Sequence, residues 1–259
     1  MANRRGPERA EATELSRPAC FEAPVGADAP IMDVLATMRA MRRLKPDPVP
    51  VPIIEDLVRA ATWAPSGSDA QHHAFVAVTD RDQMARLAEL WVDVVDVYRS
   101  LMGTVVPGVD DERHARMADA LEYQAEHFAD TPLVIAACYQ RSGAGSALRS
   151  PRAGVELARD LGARRLARLA RGGLAASSLP EASSIYPAVQ NLLLAARAHG
   201  LGATLTIWHL FREADFRRVL GVPRDHGIYA LIPIGYPLGR FGPVRRRPVD
   251  DVLHWDRWS

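Results

Sequence analysis

The sequence predicts an α+β domain in which a mixed sheet is flanked by helices. Three observations lead there. Segments with apolar residues at three- and four-residue steps outnumber the short β-rich runs. Runs and helical segments do not alternate as regular βαβ units, which argues against a doubly wound parallel sheet. With 259 residues, 48% hydrophobic and 24% charged, the chain can bury one large core without disulfides or a structural metal.

The elements follow in order. Residues 1–29 are rich in Ala, Glu, Pro, Arg and Gly, show no sustained period and read as a flexible leader before a single domain over 30–259. Ile31, Val34, Leu35, Met38 and Met41 predict an amphipathic helix with Arg39, Arg42 and Arg43 near its end. Pro46, Pro48, Pro50 and Pro52 force an extended connection. A second helix follows Pro52, carrying Ile53, Ile54, Leu57, Val58 and Ala61 on one side. The turn Ala64–Ala70 leads into a strand at Phe75–Val78, and helices are expected over Asp82–Met102 and around Arg113–Phe128. Leu133–Cys138 reads as an apolar strand. Residues 141–182 admit two readings, a lid or insert and a solvated helix around Val155–Arg171. Ser183 or Ser184 can cap a late helix with Pro187 in its first turn and Gly200 at its left-handed end. A β-rich run over Ala203–Trp208, a helix over Glu213–Leu220 and a strand over Ile228–Ile234 complete the domain. Residues 238–259 form a Pro/Arg arm whose Trp255 and Trp258 suggest an apolar partner surface.

Composition excludes several function classes. Lys plus Arg (32) balance Asp plus Glu (31), so no global field draws the chain to nucleic acid or an anionic membrane, and any anion site is local. No apolar stretch approaches the roughly 20 residues of a membrane span. Cys20 and Cys138 are too few for a disulfide framework and have no zinc-like spacing, so a reduced, cytoplasmic setting is the default. Phosphate-loop, simple dinucleotide, serine-hydrolase and zinc-protease motifs are absent.

Three groups of residues could carry chemistry. On a helix, Arg39 and Arg42 would fall on adjacent turns and could share an oxyanion, or could simply form a solvated helix end. Arg245-Arg246-Arg247 is a second cationic cluster; if extended, Arg245 and Arg247 point to one side. In Ala64-Pro65-Ser66-Gly67-Ser68-Asp69-Ala70-Gln71, small residues allow close backbone approach to a flat ligand and Gln71 offers a donor and an acceptor, although a plain turn would look similar. His72 and His73 would face opposite ways beside a strand and make a poor metal pair. His209, after Trp208, could reach a cleft or sit at a rim.

These segments line up with a family. Met38-Arg39-Ala40-Met41-Arg42-Arg43-Leu44, the stretch Ala64–Phe75, Ser183–Ala196 with Gly200-Leu201-Gly202, and Gly235-Tyr236-Pro237 before the arginine arm resemble, in order, four motifs of the FMN-dependent nitroreductase family. The resemblance spans residues 31–258. It implies a mainly antiparallel sheet in a domain-entwined homodimer with FMN at the subunit interface. By that resemblance Arg39, Arg42 and Arg43 would hold the flavin phosphate, joined by Arg245 or Arg247, and Ala40 would contact it through backbone. Pro65, Ser66 and Gly67 would approach the ring system from the partner subunit. Asp69 and Gln71 would face the pyrimidine edge, and the backbone around Ser183 and Ser184 would lie near N5 and O4. His209 and Phe211 are candidates for the substrate pocket.

The implied activity is two-step: NADH or NADPH reduces FMN, and a small electron-poor acceptor such as a nitroarene or quinone then takes the electrons. The alternative is a low-turnover flavin-binding or redox-sensing protein of the same fold. No side-chain acid or base is implied, since the cofactor carries the chemistry. Two departures stand out: Asp69 replaces the family's usual asparagine, and His72-His73 replace Pro-Trp.

Overall fold

The fold is built on one strand buried on both faces. The computed structural model describes residues 26, 28–102, 111–141, 152, 155, 156, 159, 160 and 173–258. Strand β2 (Leu133–Gln140) is buried along all but its last residue, which is why its sequence is an unbroken apolar run. It pairs antiparallel with β1 (His73–Val78) on one side and β4 (His226–Gly235) on the other. The short β3 (Gly202–Ala203) pairs antiparallel with β4, giving the order β1-β2-β4-β3. An α+β fold with an antiparallel sheet is therefore what the chain forms.

Alternation along the strands feeds two cores. Leu133, Ile135, Ala137, Ala230, Ile232 and Ile234 pack beneath α2 (Val51–Thr62) and α5 (Gly173–Ala198). Val134, Ala136, Cys138, Ile228 and Leu231 pack beneath α3 (Arg81–Met102) and α6 (Glu213–Leu220). Helix α4 (Asp111–Glu126) lies beside α3. Helix α6 stops at Gly221, whose φ of 66° is the expected left-handed cap; Gly200 (φ 75°) does the same after α5.

Three expectations need correction. Helix α1 covers only Ile31–Thr37 and does not carry the arginines. Met38 turns extended (φ −70°, ψ 119°), and the chain then runs beside the sheet. Met41 N–H donates to Ala203 O at 3.0 Å and Lys45 N–H to Tyr236 O at 2.7 Å. Cross-strand bonds replace the helical ones that the apolar spacing favoured. Helix α5 starts ten residues before Ser183, so the serines are interior and do not cap it. Pro187 sits inside the helix and cannot donate to the Ser183 carbonyl. The run Ala203–Trp208 is strand only at its start. It continues through the Thr206–Leu231 bridge into a 3-10 turn over Trp208–Arg212.

The other spans agree within a few residues. Nearly all of the 1–29 leader, including Cys20, lies outside the described residues. So does most of the 141–182 segment, although Val155, Glu156, Arg159 and Asp160 are helical and residues 173–182 open α5. In the arm, Trp255 and Trp258 are 60% and 87% exposed, and Trp258 stacks on His254.

Close packing fixes the arginine segment on the sheet. A Cβ on Gly202 would meet Leu44 and Met41 atoms at 3.1 Å, and one on Gly235 would meet the Pro132 ring at 2.8 Å and Leu44 at 3.3 Å. Only glycine lets the backbone carrying Leu44 lie this near β3 and β4.

Candidate functional site

Two groups of the expected residues assemble, at separate places. The first is the extended segment Met38–Arg43 with the start of the arm. Leu238 N–H donates to Arg43 O at 3.0 Å, and Val244 N–H donates to Ala36 O at 2.8 Å. These bonds lay residues 238–244 along the arginine segment. Arg39 Nη2 donates to Arg240 O at 2.9 Å. Ala40 is exposed and bridges Ala203.

Arg42 is half-buried, and its Nε is buried with no hydrogen-bond partner among the described residues. Burial lowers its pKa, while Tyr98 on α3 opposes that shift. A buried guanidinium nitrogen without an acceptor is costly, and an anion seated against it would remove that cost. Arg43 stacks over Tyr123 of α4, its Cζ 5.1 Å from the ring centroid, which ties it to the protein surface. Arg245 follows Val244 directly and Arg247 lies two residues on; both are exposed.

The second group is the loop Ser66–Gln71. Ser68, Asp69 and Gln71 have φ of 55°, 51° and 52°, a left-handed conformation costing each non-glycine residue about 1 kcal/mol. Hydrogen bonds hold it. Gln71 N–H donates to Ser66 Oγ at 3.0 Å, and Gln71 Nε2 donates to Asp69 Oδ1 at 3.0 Å. Gly67 N–H donates to Ser184 Oγ at 3.0 Å, and His73 Nε2 lies 3.1 Å from Ser184 O. The loop, β1 and the middle of α5 thus meet at Ser184, which is buried, while Ser183 is exposed. Pro65, Gly67 and Asp69 are exposed and Ser66 half-buried, a surface of small residues open to a flat ligand.

His72 and His73 do not point apart. Both rings pack against Tyr139, with centroids 5.8 and 5.2 Å away, because the left-handed Gln71 turns the chain before strand alternation begins. Sequence reasoning missed this neighbourhood. Tyr139 and Tyr229 meet edge-to-face, as do Tyr186 and Tyr229. Tyr186 Oη donates to Tyr229 O at 3.2 Å, and Tyr229 Oη donates to the Glu181 carboxylate. Burial, then Glu181, pushes the Tyr229 phenol well above its usual range. The available signal was the spacing of Glu181 to Ser184, one helical turn.

His209 is corrected. It is fully buried, with Nε2 3.0 Å from Ile228 O and its ring edge-on to Phe216. The 3-10 turn replacing the expected strand end rotates it into the core. Phe211 is 54% exposed and stacks on Trp208.

The two groups lie far apart in one chain. Ser184 and Arg197, which lines a cavity with Met38 and Arg39, are thirteen residues apart on α5; at about 1.5 Å per residue the helix rises roughly 20 Å between them. The loop also precedes one edge strand, β1, while Ala40 lies outside the other, β3. Among the described residues, no cluster of His, Cys, Asp and Glu could hold a metal, and no helix is long and apolar enough to cross a membrane.

Fold and geometry define an α+β protein with a cationic extended segment and a separate strained loop of small residues. A family model described as the nitroreductase family matches residues 35–236. The chain belongs to that family. An NADH dehydrogenase of Thermus thermophilus is 24% identical over 248 residues, covering 88% of this chain and 98% of that protein. The structure of iodotyrosine deiodinase bound to FMN and 3-iodo-L-tyrosine superposes with a TM-score of 0.61 at 18% identity, covering 88% of this chain and all of that one. A BluB-like flavoprotein from Clostridium difficile gives the same TM-score at 17% identity, with 88% and 99% coverage.

Burial of His209 has a pH consequence. Burial lowers its pKa from the ordinary 6.5. Below that value the unfolded chain takes up a proton that the folded chain resists, so stability is lost as pH falls. Urea midpoints measured between pH 7 and 5 are expected to fall, and to fall less in His209→Gln.

Proposed function

We propose that the chain is an FMN-dependent NAD(P)H oxidoreductase that reduces nitroaromatic, quinone or similar electron-poor acceptors. The observation that carries this reading is Arg42, whose buried Nε has no hydrogen-bond partner among the described residues and stands in the same segment as Arg39. That arrangement suits a dianionic phosphate better than it suits water. FMN, when bound, supplies the two-electron transfer between a nicotinamide donor and the acceptor.

The chain's own residues bind, orient and tune. Arg39 and Arg42, with Arg43 alongside and Arg245 or Arg247 from the arm, take the phosphate. Ala40 leaves its backbone open to the same group. Pro65, Ser66 and Gly67 give a low surface for the ring system, and the backbone at Ser183 and Ser184 lies beside it. The Gln71 amide, held by Asp69, is oriented toward a pyrimidine edge. Asp69 can accept a hydrogen bond there but cannot donate one, and its charge opposes a nearby anion. Phe211 offers an apolar surface to the acceptor.

The separation of the two groups along α5, roughly 20 Å, together with the resemblance to a family that holds FMN between subunits, supports a reading in which one flavin takes its phosphate ligands from one chain and its ring contacts from another, in a homodimer. Exposed Ile31 and Trp63 lining the cavity between α1, α2 and α5, together with exposed Leu253, Trp255 and Trp258 on the arm, supply apolar surface for that association. Neither nucleic acid nor membrane enters this reading, and the setting is cytoplasmic.

Titrating the apoprotein with FMN tests the phosphate set. Arg42→Ala is expected to weaken binding by about 1.5–3 kcal/mol, the scale of a charge-assisted bond. Unchanged affinity would remove arginine from the phosphate site, and absence of flavin binding by the wild type would end the proposal. With flavin bound, anaerobic NADH or NADPH should bleach its absorbance and an acceptor restore it; failure of both donors would favour the low-turnover flavin-binding protein. Asp69→Asn should raise the flavin midpoint potential by roughly 20–40 mV, equivalent to about 1–2 kcal/mol for a two-electron couple. An unaltered potential would place Asp69 away from the flavin.

A further inference from the structure

Arg197 lies in the last turn of α5 and is 1% exposed. Its sequence context is a buried helical face shared with Leu193 and Ala196, where an apolar residue would be ordinary. Burying a guanidinium costs several kcal/mol unless its surroundings compensate. Here they do so in part, and the compensating groups come from two other stretches of chain.

Arg197 Nε donates to Thr37 Oγ1 at 2.9 Å, and the fully buried Thr37 hydroxyl donates to Asp33 O at 2.6 Å. Thr37 is the residue at which α1 ends and the arginine segment begins. Asp33 on α1 also offsets the buried positive charge. On its other side the guanidinium covers the Phe241 ring, with Cζ 4.1 Å from the centroid. Phe241 follows Arg240, whose carbonyl accepts the hydrogen bond from Arg39. A small cavity lined by Met38, Arg39, Leu193, Arg197, Ala203 and Phe241 marks where the three stretches meet.

We infer that Arg197 is a positioning residue for the phosphate-binding segment, clamping the start of the arm to the end of α1 so that Arg39 is held ready for its ligand. It acts through Phe241 and Thr37, not by touching the ligand. A leucine could fill the volume. It could not bond Thr37, and it has no planar cationic face to hold an aromatic ring in one orientation. The inference rests on the FMN reading above, and specifically on Arg39 serving the phosphate.

The phosphate makes the test selective, because riboflavin shares the ring system of FMN and lacks that group. Affinities for FMN and riboflavin are measured by fluorescence titration for the wild type, Arg197→Met and Phe241→Leu, each checked by circular dichroism and thermal melting. The wild type should prefer FMN. Arg197→Met should lose about tenfold for FMN, equivalent to about 1.4 kcal/mol, and less than about twofold for riboflavin. Phe241→Leu, which leaves the buried charge in place, should shift the ratio the same way, and it decides the matter if Arg197→Met does not fold. A wild-type preference that survives in the folded variants, or equal losses for both ligands, overturns the inference while leaving the FMN reading standing. A wild type with no preference overturns the phosphate reading and this inference together.

Discussion

The rise of α5 between Ser184 and Arg197 is the constraint on which the site depends. A continuous helix cannot shorten, so whatever binds at its middle and whatever binds near its end stay roughly 20 Å apart. The helix is held against the sheet by Ile185, Ala188, Val189, Leu192 and Ala196, all fully buried. The same packing that stabilises the core therefore separates the strained loop from the arginine segment. In the reading proposed above, one ligand draws on both groups by taking them from two chains.

Each half is prepared by a different physical device. The loop stores backbone strain at Ser68, Asp69 and Gln71 and is held there by Ser66, Ser184 and the pairing of Gln71 with Asp69. The arginine segment and the end of α5 behind it store electrostatic cost: Arg42 is half-buried and Arg197 fully buried, and burial lowers the pKa of both. An anion would relieve Arg42 directly. Arg197 is compensated in part within the protein by Thr37, Asp33 and Phe241. Preorganised binding sites accept costs of both kinds, because a ligand then meets groups that need not rearrange.

Much of the fold was legible because burial leaves a period. The unbroken apolar run of β2, the three-and-four spacing of α2 and α3, and the glycine caps after α5 and α6 all survive in the structure. The misreadings share a cause. Met38 and Met41 continue the spacing of α1, but backbone pairing of Met41 with Ala203 and of Lys45 with Tyr236 ends the helix at Thr37. Long-range hydrogen bonds of that kind leave no local period. Pro187 looked like a first-turn residue because proline is rare deeper in helices; the preceding turns of α5 accommodate it all the same. His209 turned inward when a 3-10 turn replaced the strand on which its direction was read. The arginines, the small-residue loop and the paired serines were found as residue types in motif order. Their division into two distant groups, and the role of Arg197 behind one of them, required the three-dimensional packing.

Shared sites between two chains can be tested by mixing lesions. An Arg42→Ala chain and a Gly67→Trp chain, carried on different tags and co-expressed, would form a mixed dimer in which one site holds both lesions and the other holds neither. Each variant alone should bind FMN poorly, and the purified mixed dimer should recover a site of wild-type affinity. A mixed species that binds no better than either variant would place both groups on the same chain's ligand, contrary to the separation imposed by α5.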